Sequence, residues 1–342
     1  MKKYLLFSDA KSPHTLKWLK ELVKYYEVYL VSLNGVSTDL YELLPKSRVF
    51  ILNSSSLKSD GGNFGLFFKI LNLKRVIKSI APDFVNAHYI SSYGFLASVL
   101  KSKNSRFKLI LSAWGSDILI TPFENRIRYL IAKYSLKKAD LVTSDSYYMS
   151  DVITSIYKEA RVMTFSFGVD FIYEDAIKKD DYLIFSNRAL VDNSDILKIL
   201  KWFTSLDKRY KLIIANDGYL KEELKEFVKK NSLQDRVEFV GFLNKDEQSK
   251  LYKKARYYIS IPKSDSSSVS LLEAMNYGCF PIVSNIAANR EWILDGINGV
   301  FFDENILLGY TDGYMDINKK IIEKRAIFKD SIKRYIKSLE SL

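Results

Sequence analysis

Short apolar runs alternate with helix-length amphipathic stretches from one end of the chain to the other, and no other feature limits the fold as sharply. In the first half the apolar runs fall at residues 4–8, 27–32, 84–87, 107–112 and 141–143. In the second half they fall at 182–187, 210–215, 237–240, 257–261, 280–284 and 299–302. Strands buried on both faces read as short, continuous runs rich in β-branched and aromatic residues. Between them lie patterns of helical period, such as residues 15–25 and 220–230. Strand–helix alternation of this kind predicts doubly wound parallel sheets, an α/β architecture. At 342 residues the chain exceeds one ordinary core and suits two such domains. The rhythm pauses at Phe167-Gly168-Val169-Asp170 and the polar residues 174–181, then starts afresh at Tyr182. The predicted division is a first domain over 1–168, a second over 169–317, and a charged amphipathic helix over 318–342.

Composition narrows the possible functions. A hydrophobic fraction of 47% with 14% aromatics excludes a disordered chain. No apolar run approaches the roughly 20 residues that span a bilayer. The start, Lys2-Lys3-Tyr4-Leu5-Leu6-Phe7, is signal-like, but Ser8-Asp9 ends it too soon, so a cytoplasmic location is expected. The single cysteine, Cys279, fits a reducing compartment. Only two histidines are present, which excludes a His-rich metal centre, and no G-x-G-x-x-G, P-loop, D-x-D or C-x-x-C pattern occurs. Neither a metal nor a bound cofactor is expected.

The net charge of +12 is unevenly placed. Residues 1–170 hold 24 Lys/Arg against 14 Asp/Glu, and residues 171–342 hold 28 against 26. A basic first half suits an anionic partner, a membrane surface or phosphorylated lipid in preference to nucleic acid. A Lys-rich, merely soluble surface gives the same count. Phe64, Leu66, Phe67, Phe68, Ile70 and Leu71, beside Lys69, Lys74, Arg75 and Lys78, read either as an interfacial membrane helix or as a core-facing helix with a solvated Lys face.

The densest cluster of chemistry lies between Ile261 and Pro281. A strand leads into the small-residue loop Lys263-Ser264-Asp265-Ser266-Ser267, and a helix begins near Ser268. A helix N-terminus offers unpaired amides and a positive dipole end, which suit phosphate. Asp265 and Glu273 bracket that turn, and carboxylates suit the hydroxyls of a ribose or a sugar. The alternative is an Asp/Ser cluster that caps a helix, with Glu273 on the surface.

The stretch Asp265-x7-Glu273-Ala274-Met275-Asn276-Tyr277-Gly278-Cys279-Phe280-Pro281 resembles the signature of glycosyltransferase family 4, Glu-x7-Glu-Ala-Met-Ala-x-Gly-x-Pro. Pro82-Asp83-Phe84-Val85-Asn86-Ala87-His88-Tyr89, Ser112-Ala113-Trp114-Gly115-Ser116-Asp117, Phe185-Ser186-Asn187-Arg188, Asn216-Asp217-Gly218 and the run from Arg236 to Leu243 are similar to further family segments. Each falls at the C-terminal end of a predicted strand, where open α/β sheets bind ligands. The resemblance implies a GT-B fold: two facing Rossmann-like domains, with a C-terminal helix crossing back to the first. It implies a retaining transfer from a nucleoside-diphosphate sugar, UDP ahead of GDP, to a hydroxyl acceptor; the absence of D-x-D makes that transfer metal-independent, and the basic first half points to a lipid-linked glycan or surface polysaccharide acceptor at the inner face of a membrane.

Carried over by position, Glu273 holds the donor ribose and Asp265 the hydroxyls of the transferred sugar. The amides of Val269 and Ser270, after Ser268, meet the diphosphate with Arg188 and Lys263. Asn216, Gly241 and Phe242 surround the base. His88 and Asp117 join Asp265 as catalytic candidates, and His14 and Trp114 lie on the acceptor side. Four places depart from the family: Asp replaces Glu at 265, Asn193 replaces a phosphate-binding Lys, Trp114 stands where many relatives carry His, and Ser8-Asp9-Ala10-Lys11-Ser12-Pro13-His14 lacks the usual Gly-Gly. Two rivals share the architecture, a sugar-nucleotide 2-epimerase and a nucleotide-sugar-binding module without turnover.

Overall fold

The structure is a computed structural model that describes residues 1–52, 67–174 and 178–342, with side chains of residues 67–69 excepted. The Gly61-Gly62-Asn63 loop, Phe64 and Leu66, and the side chains of Phe67, Phe68 and Lys69 lie outside the described residues. The chain forms two compact units, Met1–Phe165 with Ile332–Leu342, and Ser166–Ser331.

The first unit runs β1 (Lys3–Phe7), α1 (Pro13–Leu22), β2 (Glu27–Ser32), β3 (Val49–Ile51), α2 (Phe67–Ile80), β4 (Phe84–His88) and α3 (Phe95–Leu100). It continues with β5 (Lys108–Ser112), α4 (Ser116–Leu119), α5 (Thr121–Glu124), α6 (Arg126–Lys138), β6 (Leu141–Ser144), α7 (Tyr147–Ile156) and β7 (Val162–Thr164). The strands form one parallel sheet in the order β3-β2-β1-β4-β5-β6-β7. Edge strands β3 and β7 escaped the sequence reading because each has three residues, half-covered or exposed, too few for a period to register. Apolar side chains of β1, β4 and β5 pack with Ile70, Leu73 and Ile80 of α2. The described part of α2 therefore turns Ile70, Leu73 and Ile80 to the core and leaves Leu71, Lys74, Arg75 and Lys78 in solvent. For these residues the core-facing helix with a solvated Lys face is found.

A polar row crosses the middle of this sheet. Asn86 Nδ2 donates to the hydroxyls of Tyr4 (2.7 Å) and Tyr335 (3.0 Å), and its Oδ1 accepts from Ser112 Oγ (3.0 Å). Thr143 Oγ1 in turn donates to Ser112 Oγ at 2.8 Å. Such a network is tolerable in a core because its members find partners. Tyr335 also packs edge-on against Trp18, which fastens the end of the chain to this unit.

The second unit runs β8 (Asp180–Ser186), α8 (Ile196–Phe203), β9 (Lys211–Ala215), α9 (Lys221–Lys230), β10 (Val237–Gly241), α10 (Lys245–Lys254) and β11 (Ala255–Ser260). Then come α11 (Val269–Asn276), β12 (Phe280–Val283), α12 (Ala287–Arg290), β13 (Val300–Phe301) and α13 (Tyr314–Arg325). Its parallel sheet has the order β10-β9-β8-β11-β12-β13. Alternate residues of β8 feed different cores, Ile184 one and Leu183 with Phe185 the other, as a strand covered on both faces requires.

The predicted single tail helix is two. Between α13 and α14 (Phe328–Glu340), Ile327 forms a parallel bridge to Val169, with Val169 N donating to Ala326 O and Phe328 N to Val169 O. That pairing demands extended backbone and interrupts the helix. Residues up to Ser331 stay with the second unit, and only Ile332–Leu342 join the first. Among the described residues no helix is long and apolar enough to cross a membrane.

Candidate functional site

Strand order reverses between β1 and β4 in one sheet and between β8 and β11 in the other. The crevice outside the carboxyl ends of such strands is where doubly wound sheets take ligands. In both units it holds residues singled out from the sequence.

In the second unit Arg188 lies two residues beyond β8, and Asp265 lies on the loop after β11. Arg188 donates to Asp265 Oδ2 at 2.9 Å, each side chain 19% exposed. Such a pair is screened less than a surface one and remains within reach of a ligand. The other Asp265 oxygen accepts from Ser266 N at 3.0 Å. Ser268 caps α11, its Oγ accepting from Leu271 N at 3.3 Å. The amides of Val269 and Ser270 open the helix, where no intrahelical acceptor exists and the dipole is positive.

Asn193 fixes the loop between them. Its Oδ1 accepts from Ser264 N (3.1 Å), its Nδ2 donates to Ser264 O (3.0 Å), and its carbonyl accepts from Lys263 N (2.8 Å). At the position where the family carries a phosphate-binding cation, this chain has a clamp on the loop that presents Asp265. Lys263 joins this group through its amide, and its side chain is exposed.

Glu273 is reached through a second chain of contacts. Asn187 Nδ2 donates to Tyr252 Oη at 2.8 Å, and Tyr252 Oη lies 3.4 Å from Glu273 Oε2. Asn187 Oδ1 accepts from Tyr258 at 2.9 Å, and its carbonyl accepts from Asn216 Nδ2 at 3.4 Å. Glu273 also lines a pocket of about 350 Å³ with Tyr173, Tyr252, Tyr277 and Lys253, within the size range of small-ligand sites. Buried Lys179 supports its wall by donating to the carbonyls of Tyr252 and Tyr277, both at 2.6 Å. Nearby, Asn216 N donates to Gly241 O at 2.6 Å, and Gly241 has φ +73°, a conformation that favours glycine. Phe242 follows with 78% of its surface exposed.

In the first unit His88 ends β4, almost fully buried, its ring beside those of Trp18 (5.2 Å) and Trp114 (5.1 Å). Its hydrogen bonds determine the tautomer. Thr15 Oγ1 gives its only proton to Asp9 O (2.7 Å), so Ser8 Oγ must donate to Thr15 Oγ1 (2.8 Å). Ser8 then has no proton left for His88, and His88 Nδ1–H donates to Ser8 Oγ (2.9 Å). Nε2 is left as a bare acceptor with no hydrogen-bond partner among the described residues. Burial first, and the charge of His14 second, lower the His88 pKa to about 3. Burial thus keeps the His88 ring neutral near pH 7, with Nε2 a hydrogen-bond acceptor.

Asp117, in the first turn of α4, is the second candidate of this unit. It is buried, and its two oxygens accept from Trp114 N (2.9 Å) and Ile90 N (2.7 Å), tying together the loops after β5 and β4. Burial, opposed by those amides, pushes its pKa up to about 6. Trp114 stacks between His14 (4.9 Å) and Tyr89 (5.9 Å). Tyr89 has φ +63°, unusual for a non-glycine residue and common near functional sites. Sequence reasoning gave no role to Ser8, Thr15, Asn187 or Tyr252, whose importance is relational. The positions after β1 and β8 were the available signal. Among the described residues no group of three His, Cys, Asp or Glu side chains could hold a metal ion.

Comparison with known proteins bears on the same regions. Residues 3–146 match the model of glycosyl transferase 4-like domains, and residues 171–308 that of glycosyl transferases group 1. The chain is 28% identical over 269 residues to an uncharacterised glycosyltransferase of Methanocaldococcus jannaschii, covering 71% of this chain and 67% of that one. It is 21% identical over 271 residues to a GDP-mannose:cellobiosyl-diphosphopolyprenol alpha-mannosyltransferase of Xanthomonas campestris, covering 73% and 71%. The structure of Anabaena HepE in complex with UDP superposes with a TM-score of 0.75 at 14% identity, covering all of both chains.

Proposed function

The chain belongs to the family-4 type of glycosyltransferases and has the GT-B fold, and from that premise we propose that it moves a sugar from a nucleoside diphosphate to a hydroxyl of a lipid-linked glycan or surface polysaccharide, with retention of configuration. The observation that carries this reading is the Arg188–Asp265 pair, set at the switch point of the second sheet beside the N-terminus of α11. Arg188 and the amides of Val269 and Ser270 are suited to the charge that grows on a departing diphosphate. Asp265 takes hydroxyls of the transferred sugar and Glu273 those of the ribose. Asn216, Gly241 and Phe242 border the base.

The bond from the acceptor oxygen to the anomeric carbon forms on the face from which the diphosphate leaves. The acceptor proton passes to an oxygen of that diphosphate, so no protein base is required. This suits a first-unit crevice in which His88 is neutral and Asp117 is occupied by two amides. UDP is preferred over GDP because the structural neighbour holds UDP, while the Xanthomonas relative is named for GDP-mannose. That relative's diphosphopolyprenol acceptor supports a lipid-linked substrate, met at the cytoplasmic face of a membrane.

Thermal shift with UDP, GDP, ADP and their common sugar conjugates, on wild type and Glu273→Ala, tests the proposal. A nucleotide at 100 times its Kd adds about 2.7 kcal/mol. UDP is expected to raise the Tm of the wild type and not of the variant. No response to any nucleotide would refute the proposal.

A further inference from the structure

One exposed face of the first unit is left unexplained by the reaction. In α6 the residues at helical spacing Ile127, Leu130 and Tyr134 are exposed, Ile127 at 71% and Leu130 at 53%. Ala132, Ser135 and Leu136 are the buried residues, so the helix already has its core face on another side. Helix α5 packs against α6 and adds Phe123, 59% exposed, with Ile120 just before it. Scattered apolar residues are ordinary on a protein surface, whereas four on two adjoining helices, with Ile120 at their edge, form a patch.

The charges beside the row indicate what covers it. Arg126, Lys133 and Lys137 are exposed and, at intervals of seven and four residues, lie along one flank of the row. Lys138 lies at the other border, its ammonium 5.6 Å from the centre of the Tyr134 ring. Glu124, the acidic residue of α5, is taken up by an ion pair with Arg128. An apolar stripe bordered by cations is the chemistry of a helix lying in the headgroup region of an anionic bilayer. Self-association through the same stripe would crowd two sets of these cations into one interface.

We propose that the α5–α6 face is where this chain meets an anionic lipid surface, with Phe123, Ile127 and Leu130 entering the acyl boundary and Arg126, Lys133 and Lys137 on the headgroups. This goes beyond the proposed reaction, and it rests on the lipid-linked acceptor reading for its purpose only.

Co-sedimentation with phosphatidylcholine vesicles, with and without phosphatidylglycerol, tests it on the full chain. The wild type is expected to sediment with the anionic vesicles at low salt and to be released by added salt. Ile127→Glu/Leu130→Glu, at positions already in water, should abolish sedimentation while leaving Tm and UDP binding unchanged. Lys133→Ala/Lys137→Ala should weaken partitioning roughly twenty-five-fold, at about fivefold per cation near the surface. Failure of the wild type to bind, or equal binding by the stripe variant, overturns the proposal. So does a lipid-free dimer that Leu130→Glu converts to monomer, which would assign the face to a second copy. Because UDP binding is read on the same proteins, failure of the membrane face and failure of the transferase reading are distinguishable.

Discussion

Replacing Asn193 tests whether its clamp on the loop after β11 serves binding. Asn193→Ala removes two side-chain hydrogen bonds to the Ser264 backbone, of 3.0 and 3.1 Å, and leaves the bond from Lys263 N to the Asn193 carbonyl intact. Each lost bond is worth about 0.5–1.5 kcal/mol. Two such bonds make about 1–3 kcal/mol the upper bound for holding the loop in place, and because Ser264 is half-buried, water replaces part of it. The loop can loosen without the sheet unfolding, so the cost should appear as UDP binding weakened by at most about 5- to 150-fold. The melting temperature should move by much less than the roughly 2–4 °C per kcal/mol that a global loss in a domain of this size produces. Asn193→Asp keeps the acceptor for Ser264 N but sets an oxygen against Ser264 O, so it should bind UDP no better than Asn193→Ala. Calorimetric titration of UDP into the three proteins reads both effects. Wild-type affinity in Asn193→Ala would refute the argument, because the loop would then hold its position without the side chain.

Further expectations concern the other clusters. With a folded pKa of about 3 against roughly 6.5 unfolded, His88 contributes stability above pH 6.5 that is lost as pH falls toward 3, by up to about 1.4 kcal/mol per pH unit. Asp117, raised to about 6, has the opposite sign, its unfavourable ionisation being relieved as pH falls through 6. Urea melts between pH 6 and 4 should therefore show Asp117→Asn losing stability on acidification more steeply than wild type and His88→Gln less steeply, and three parallel curves would contradict both assignments. Asp265→Asn frees Arg188 from its carboxylate and should tighten UDP by about threefold while abolishing sugar transfer; weaker UDP binding would mean that the pair orders the site instead of competing with the ligand. Tyr335→Phe takes one acceptor from Asn86 and one partner from Tyr4, and should cost about 1–3 kcal/mol in chemical denaturation, a loss under roughly 0.5 kcal/mol arguing that the row is not a unit.

What the sequence determined by itself was whatever local chemistry and periodicity encode. The central strands, from β1 through β12, announce themselves as apolar runs because burial on both faces leaves no polar alternation. The position of Arg188 and Asp265 beyond strand ends, and of Glu273 in the helix that follows, comes from the same rhythm, and the short motif from Asp265 to Pro281 carries the family. The break at Ile327 was not legible, since it depends on backbone pairing with Val169, far away in the chain. Nor was the work of Asn193, a missing cation in the sequence and a clamp once Ser264 stands beside it. His88 makes the same point about protons. Its residue type suggests acid–base chemistry, but burial fixes its charge, and the order Asp9, Thr15, Ser8 fixes its tautomer. Periodicity records which residues leave water. Which partner each polar group meets there is set by contacts between strands remote in sequence, and only the tertiary structure decides it.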